Sequence, residues 1–202
     1  LMARVARECG FKGIWFDNEP YQGNPFEGYS AELVKQRGKQ WIEAVQSELP
    51  DVVILHLFLY SPDKIAKDSD AFANGMLAGI TGKARIVHTY ENSMYYGMTE
   101  GMRFGGHSGD RAKWQAYRDN VVKHWRDNSD DPVQYDHYVE VGAAVWWESK
   151  PNGWPGWPWP ADIAFGNMPL ALEFSDEYVY CWNEKSNYYR TLPDKIDPWV
   201  AS

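Results

Sequence analysis

Gly13-Ile-Trp-Phe-Asp-Asn-Glu-Pro-Tyr21 is the stretch on which the reading of this chain turns. It has the form of a buried strand over 13–19 that runs into three polar residues and a proline. Strand side chains alternate, so Gly13, Trp15, Asp17 and Glu19 share one face, and Ile14, Phe16 and Asn18 take the other. Large apolar groups on both faces predict a strand inside a sheet that is covered on both sides. Two carboxylates at the carboxyl end are costly to bury without a use for them. In parallel α/β sheets and barrels that end is where ligands bind and chemistry is done.

The remaining segments repeat this plan of strand followed by loop and helix. Residues 1–9 read as the end of an amphipathic helix with Leu1, Val5 and Ala6 on one side, stopped by Gly10. Ser30 is placed to cap a helix over 31–48 whose stripe is Leu33, Trp41, Ile42 and Val45. Apolar runs at 52–60, 86–91, 139–147 and 178–184 predict four more strands. Helical spacing predicts helices over 68–79, 111–126 and 161–174, the last weakened by Gly166 and Pro169. The long loop 92–109 is rich in glycine and aromatics, and the segment Ser149 to Pro160 in glycine, proline and tryptophan. The tail, 185–202, has room for one short helix.

Strands alternating with helices predict a mostly parallel α/β sheet. A doubly wound sheet is one solution. A TIM-like (β/α)8 barrel is the preferred one, because each predicted strand ends in polar or aromatic residues ahead of a loop. Neither a P-loop nor a dinucleotide-binding glycine pattern follows any strand. Five β/α units do not close a barrel of eight. The expectation is therefore a single barrel domain, 1–202, that supplies the C-terminal strands and helices, with the first three strands absent or supplied by another piece, the missing N-terminal part of the same barrel then being a partner. The opening Leu1-Met2-Ala3-Arg4, which reads as the middle of a helix, agrees with that.

The chain has 202 residues, 20 basic and 28 acidic, for a net charge of -8. That balance argues against a general nucleic-acid binder, which needs clustered Lys and Arg to neutralise phosphate. No stretch of 18 apolar residues predicts a membrane span. Cys9 and Cys181 fall in different elements and are expected as buried thiols rather than a disulfide. The compartment is left open, with a secreted or periplasmic location the working expectation.

Carboxylates collect at the predicted strand ends: Asp17 and Glu19, then Glu91, Glu148 and Glu184. Cleaving a glycosidic bond takes two such groups. One is protonated to assist the leaving oxygen, and the other is ionised as nucleophile or as base for water. Carboxyls about 5–5.5 Å apart give retention and about 6.5–9.5 Å inversion. The aromatic loops suit stacking on sugar faces: prolines stiffen the segment holding Trp154, Trp157 and Trp159 and limit its entropy. The alternative for those rings is self-burial against the sheet. Trp146 and Trp147 alternate, so only one of them can meet a ligand. His88 shares a face with Tyr90 and is placed to reach a site; His56 is expected deeper. The histidines have no close metal-ligand spacing, and no nucleophile elbow is present.

Asn18-Glu19-Pro20 resembles the Asn-Glu-Pro at the end of strand four in the large clan of retaining glycoside hydrolases built on (β/α)8 barrels. The final segment, Ser175 to Glu184, is also similar to poorly characterised bacterial hydrolase-like barrel proteins. The first resemblance implies that Glu19 is the acid/base and that Asn18 holds the sugar hydroxyl beside the scissile bond. With 13–19 as strand four, 85–91 is strand six, 139–148 strand seven and 178–184 strand eight. Tyr90, Glu148 and Trp182 then stand where that family carries an aromatic or His, the nucleophile and a subsite Trp. Glu184 and Glu91 compete with Glu148 for the second carboxylate, and Asp17 adds an acid before the motif. Asp17, Asn18, Tyr21, His88, Tyr90, Trp147, Trp154, Trp157 and Trp182 are the candidate substrate contacts. The implied partner is a carbohydrate substrate, with no cofactor, metal, nucleic acid or membrane. Two other readings stay open: a non-catalytic carbohydrate-binding barrel protein, and a metal-assisted hydrolase or lyase using His88.

Overall fold

The computed structural model describes residues 1–18, 25–57, 67–89, 111–146 and 161–182. In chain order these form α1 (Met2–Glu8), β1 (Gly13–Phe16), α2 (Ala31–Glu48), β2 (Val53–His56), α3 (Lys67–Gly79) and β3 (Arg85–Thr89). There follow α4 (Arg111–Asn128), α5 (Pro132–Tyr138), β4 (Val139–Trp146), α6 (Ala161–Phe174) and β5 (Val179–Trp182). The protein is mixed α/β, and every described strand pairing is parallel. A closed eight-strand barrel is not seen among the described residues. The chain divides into two compact units, Leu1–Tyr90 with Arg118–Val141, and Glu91–Tyr117 with Gly142–Ser202.

In the first unit β1, β2 and β3 lie side by side in chain order. The register sets Gly13, Val53 and Arg85 in one row and Ile14, Ile54 and Ile86 in the next. Ile54 and Ile86 are fully buried. Ser30 caps α2 through its hydroxyl, which accepts from the Leu33 N–H, and Val34, Ile42 and Val45 form the buried stripe. Phe72, Met76 and Leu77 of α3 are buried as the spacing predicts. α2 and α3 cross with very little between them. A Cβ on Gly38 would collide with the Phe72 carbonyl, and one on Gly75 with the Lys35 carbonyl. Glycine at both points lets the two backbones touch.

Several expectations change. In α1 the buried residues are Ala3 and Ala6, whereas Leu1 and Val5 are exposed. Gly10, at φ 72°, does end that helix. Cys9 and Cys181 form no disulfide with each other and are exposed, not buried; Cys9 caps the end of α1, and Cys181 lies on β5. β1 is not covered on both sides: Trp15 is 47% exposed. β1 stops at Phe16 and β2 at His56, each short of its apolar run, because a ladder lasts only as long as its neighbour pairs with it.

The spacing did not predict α5. Asp131 caps it by accepting from the Val133 and Gln134 N–H groups, with Pro132 in the first turn. Ahead of it, the Asp130 N–H donates to the Asn74 side chain and Lys35 pairs with the Asp130 carboxylate, which ties the start of α5 to α2 and α3.

In the second unit β4 and β5 pair from Ala143 with Val179 to Trp146 with Trp182. Trp114, Ala143, Leu170, Ala171 and Phe174 form the core, with Met168 and Val179 against it. This packing holds α6 together although Pro169 lies inside it. The Ser175 hydroxyl accepts from the Ala143 N–H at 2.9 Å, and Arg111 is bonded to Glu173.

Candidate functional site

Parallel pairing brings the carboxyl ends of β1, β2 and β3 to one edge of the first unit. β1 stops at Phe16, so Asp17 and Asn18 stand immediately beyond it. Asp17 is exposed and Asn18 half-buried. The Asn18 side-chain oxygen is itself buried and has no hydrogen-bond partner among the described residues. Thr89, the last residue of β3, is fully buried, and its hydroxyl also has no partner among the described residues.

Glu19 and Tyr21 follow directly in sequence but lie outside the described residues, as do Tyr90, Glu91, Trp147, Glu148, Trp154, Trp157 and Glu184. Trp182 is the last residue of β5, in register with Trp146. The described strand ends stand three residues before Glu19, and two before each of Glu91, Glu148 and Glu184.

The row above Ile14, Ile54 and Ile86 is Phe16, His56 and His88. Partners in register point to the same side of a sheet. That side is the helix layer. Phe16 packs on Trp41 of α2 at 4.7 Å and on Phe72 of α3 at 5.9 Å. His56 meets the Phe16 ring edge-on at 4.9 Å, and His88 stacks on Trp125 of α4. Both imidazoles are at most 1% exposed. His88 is therefore packed under a helix, and not at an open mouth where a sugar would meet it.

Burial sets the charge of both rings. Desolvation pushes His56 from its ordinary 6.5 to about 3. It holds His88 well below 6.5, with the neighbouring His56 adding to the effect and a backbone hydrogen bond opposing it. Both are neutral at pH 7.

The signal for this pairing is in the sequence: His56 and His88 are each the fourth residue of a strand, in Val53-Ile-Leu-His and Arg85-Ile-Val-His. Among the described residues no three His, Cys, Asp or Glu side chains come together to hold a metal. Within the same limits, no helix is long and apolar enough to cross a membrane.

No protein-family model, curated protein or solved structure matches the chain.

Proposed function

We propose that the chain is a glycoside hydrolase acting on a poly- or oligosaccharide, with Glu19 as acid/base and Glu148 or Glu184 as nucleophile. The observation that carries this reading is the position of Asp17-Asn18. They stand just beyond the carboxyl end of a parallel strand, with Glu19-Pro20 next in sequence. A carboxyl edge is where parallel α/β folds gather reacting groups. The buried Asn18 oxygen, which has no partner among the described residues, adds support, since a buried polar atom calls for a partner and a sugar hydroxyl would serve.

In this scheme Glu19 donates its proton to the glycosidic oxygen as the bond to the anomeric carbon breaks. The nucleophilic carboxylate bonds to that carbon and forms a glycosyl-enzyme. Glu19, now ionised, takes a proton from water, and the resulting hydroxide displaces the carboxylate. The aromatic residues Tyr21, Tyr90, Trp147, Trp154, Trp157 and Trp182 supply stacking surfaces in the same scheme, as does the wider Gly/Pro-rich loop.

The test is turnover of aryl glycosides and of a polysaccharide library by the wild type, Glu19→Gln and Glu148→Gln. An enzyme of this kind loses orders of magnitude in rate while sugar binding persists. Binding without turnover in the wild type would identify a carbohydrate-binding protein instead.

A further inference from the structure

The reading of the strand-end acids leaves two groups unused, and they are the least expected in the first unit. His56 and His88 sit side by side on adjacent strands, His56 at the end of β2 and His88 one residue before the end of β3. Both are closed off by aromatic rings, Phe16 on one flank and Trp125 on the other. Neither His56 nitrogen has a hydrogen-bond partner among the described residues. A proton on either ring would put a charge into this layer, and protons on both would put two like charges side by side.

We propose that the His56–His88 pair is an acid-sensitive latch that holds the carboxyl ends of β2 and β3 against the helix layer and releases them on protonation.

Among the described residues, most of the surrounding charges are engaged elsewhere or exposed. On α2, Lys35 pairs with Asp130, Lys39 with Glu43, and Arg37 bonds to Gln40. On α4, Lys123 pairs with Asp127 and Arg126 with Asp136 of α5, while Asp119 and His124 are exposed. His137 of α5 and Asp17 beyond β1 are exposed too. Arg85, at the start of β3, lies over the Tyr138 ring and near Glu140. Asp70 of α3 and Arg118 of α4 are half-buried. Among the described residues, burial is the cause of the depressed His56 value.

The direction follows from linkage. In the unfolded chain each His takes a proton near 6.5, and in the folded protein it does not until far lower. The stability is therefore complete above 6.5 and declines as the pH falls below it. Each ring multiplies the unfolding constant by up to about tenfold per pH unit, and the pair by up to about a hundredfold. Among the described residues, the carboxylates with a shifted value lie outside this window. Glu48 and Glu173, held below their ordinary 4.5 by arginines, cost stability only near that value and lower.

Unfolding by urea at a series of pH values between 7.5 and 4.5 tests the latch, followed by tryptophan fluorescence and circular dichroism. The wild type is expected to lose stability steadily below pH 6.5. His56→Leu combined with His88→Phe is expected to flatten the profile across that range. An unchanged profile in the double variant would overturn the proposal. Should that variant not fold, imidazole chemical shifts of the wild type decide. Rings that stay neutral at pH 5 in the folded protein support the latch, and rings that titrate near 6.5 while it remains folded refute it. The latch does not depend on the glycosidase reading, since no sugar enters either measurement.

Discussion

Gly38→Ala is a substitution whose sign the structure reverses. In the interior of an exposed helix, glycine to alanine stabilises by about 1 kcal/mol. Here the new methyl group would overlap the Phe72 carbonyl, and the neighbouring Met76 N–H is also close. Both are backbone atoms, so no side chain can turn aside. The helix must move as a body, and moving it uncovers Ile42 and Met76, each 0% exposed. Over-packing of this kind costs about 1–3 kcal/mol, and the upper end applies where nothing yields. After the propensity gain, the net loss is about 2 kcal/mol. In a chain of this size that lowers the melting temperature by about 4–8 °C. Thermal unfolding by circular dichroism measures it, with exposed Ser47→Ala on the same helix as the control. A Gly38→Ala protein as stable as the wild type, or more so, would refute the close crossing of α2 and α3.

Three further outcomes are expected. Trp125→Ala, which removes a ring 1% exposed, should cost about 3–5 kcal/mol in urea unfolding; a loss under 1 kcal/mol would mean the ring is not a core element. Asp131→Ala removes the α5 cap and should cost about 1 kcal/mol by the same assay. Glu48 is held below its ordinary value first by its hydrogen bond with Arg4 and also by Arg7. Its contribution is therefore present above pH 4.5 and lost as the pH falls through its folded value, so Glu48→Gln should flatten the acid limb below pH 4.5 and reduce its salt sensitivity. Identical limbs for the two proteins would show that the clamp contributes nothing.

Local chemistry made the helices legible. α2 and α6 occupy 31–48 and 161–174 as the spacing predicts, and Ser30 caps α2. The parallel α/β class was also legible, since apolar runs alternate with amphipathic ones. Strand ends were not, because an apolar run says nothing about where its neighbour stops pairing; 52–60 yields a strand of Val53–His56. Asp131-Pro132 carried the signal for α5, a capping residue followed by proline, and a helix of one or two turns leaves too little periodicity to notice. The close approach at glycines 38 and 75 is set by facing carbonyls that the sequence does not reveal. Similarly, the sequence places His88 at the end of an apolar run, but only the packing of Trp41, Phe72 and Trp125 shows that the side His88 takes meets the helices. Of the candidate site, the structure describes Asp17, Asn18, His88 and the strand position of Trp182.

The most direct measurement is chemical trapping of the glycosyl-enzyme. An activated fluorinated glycoside forms the covalent intermediate and slows its hydrolysis, and peptide mass spectrometry then locates the sugar. The proposed mechanism requires the adduct on Glu148 or Glu184, and its slow release should fall further in Glu19→Gln, which lacks the base for water. A saccharide that is turned over without any adduct, or an adduct on another residue, would contradict it.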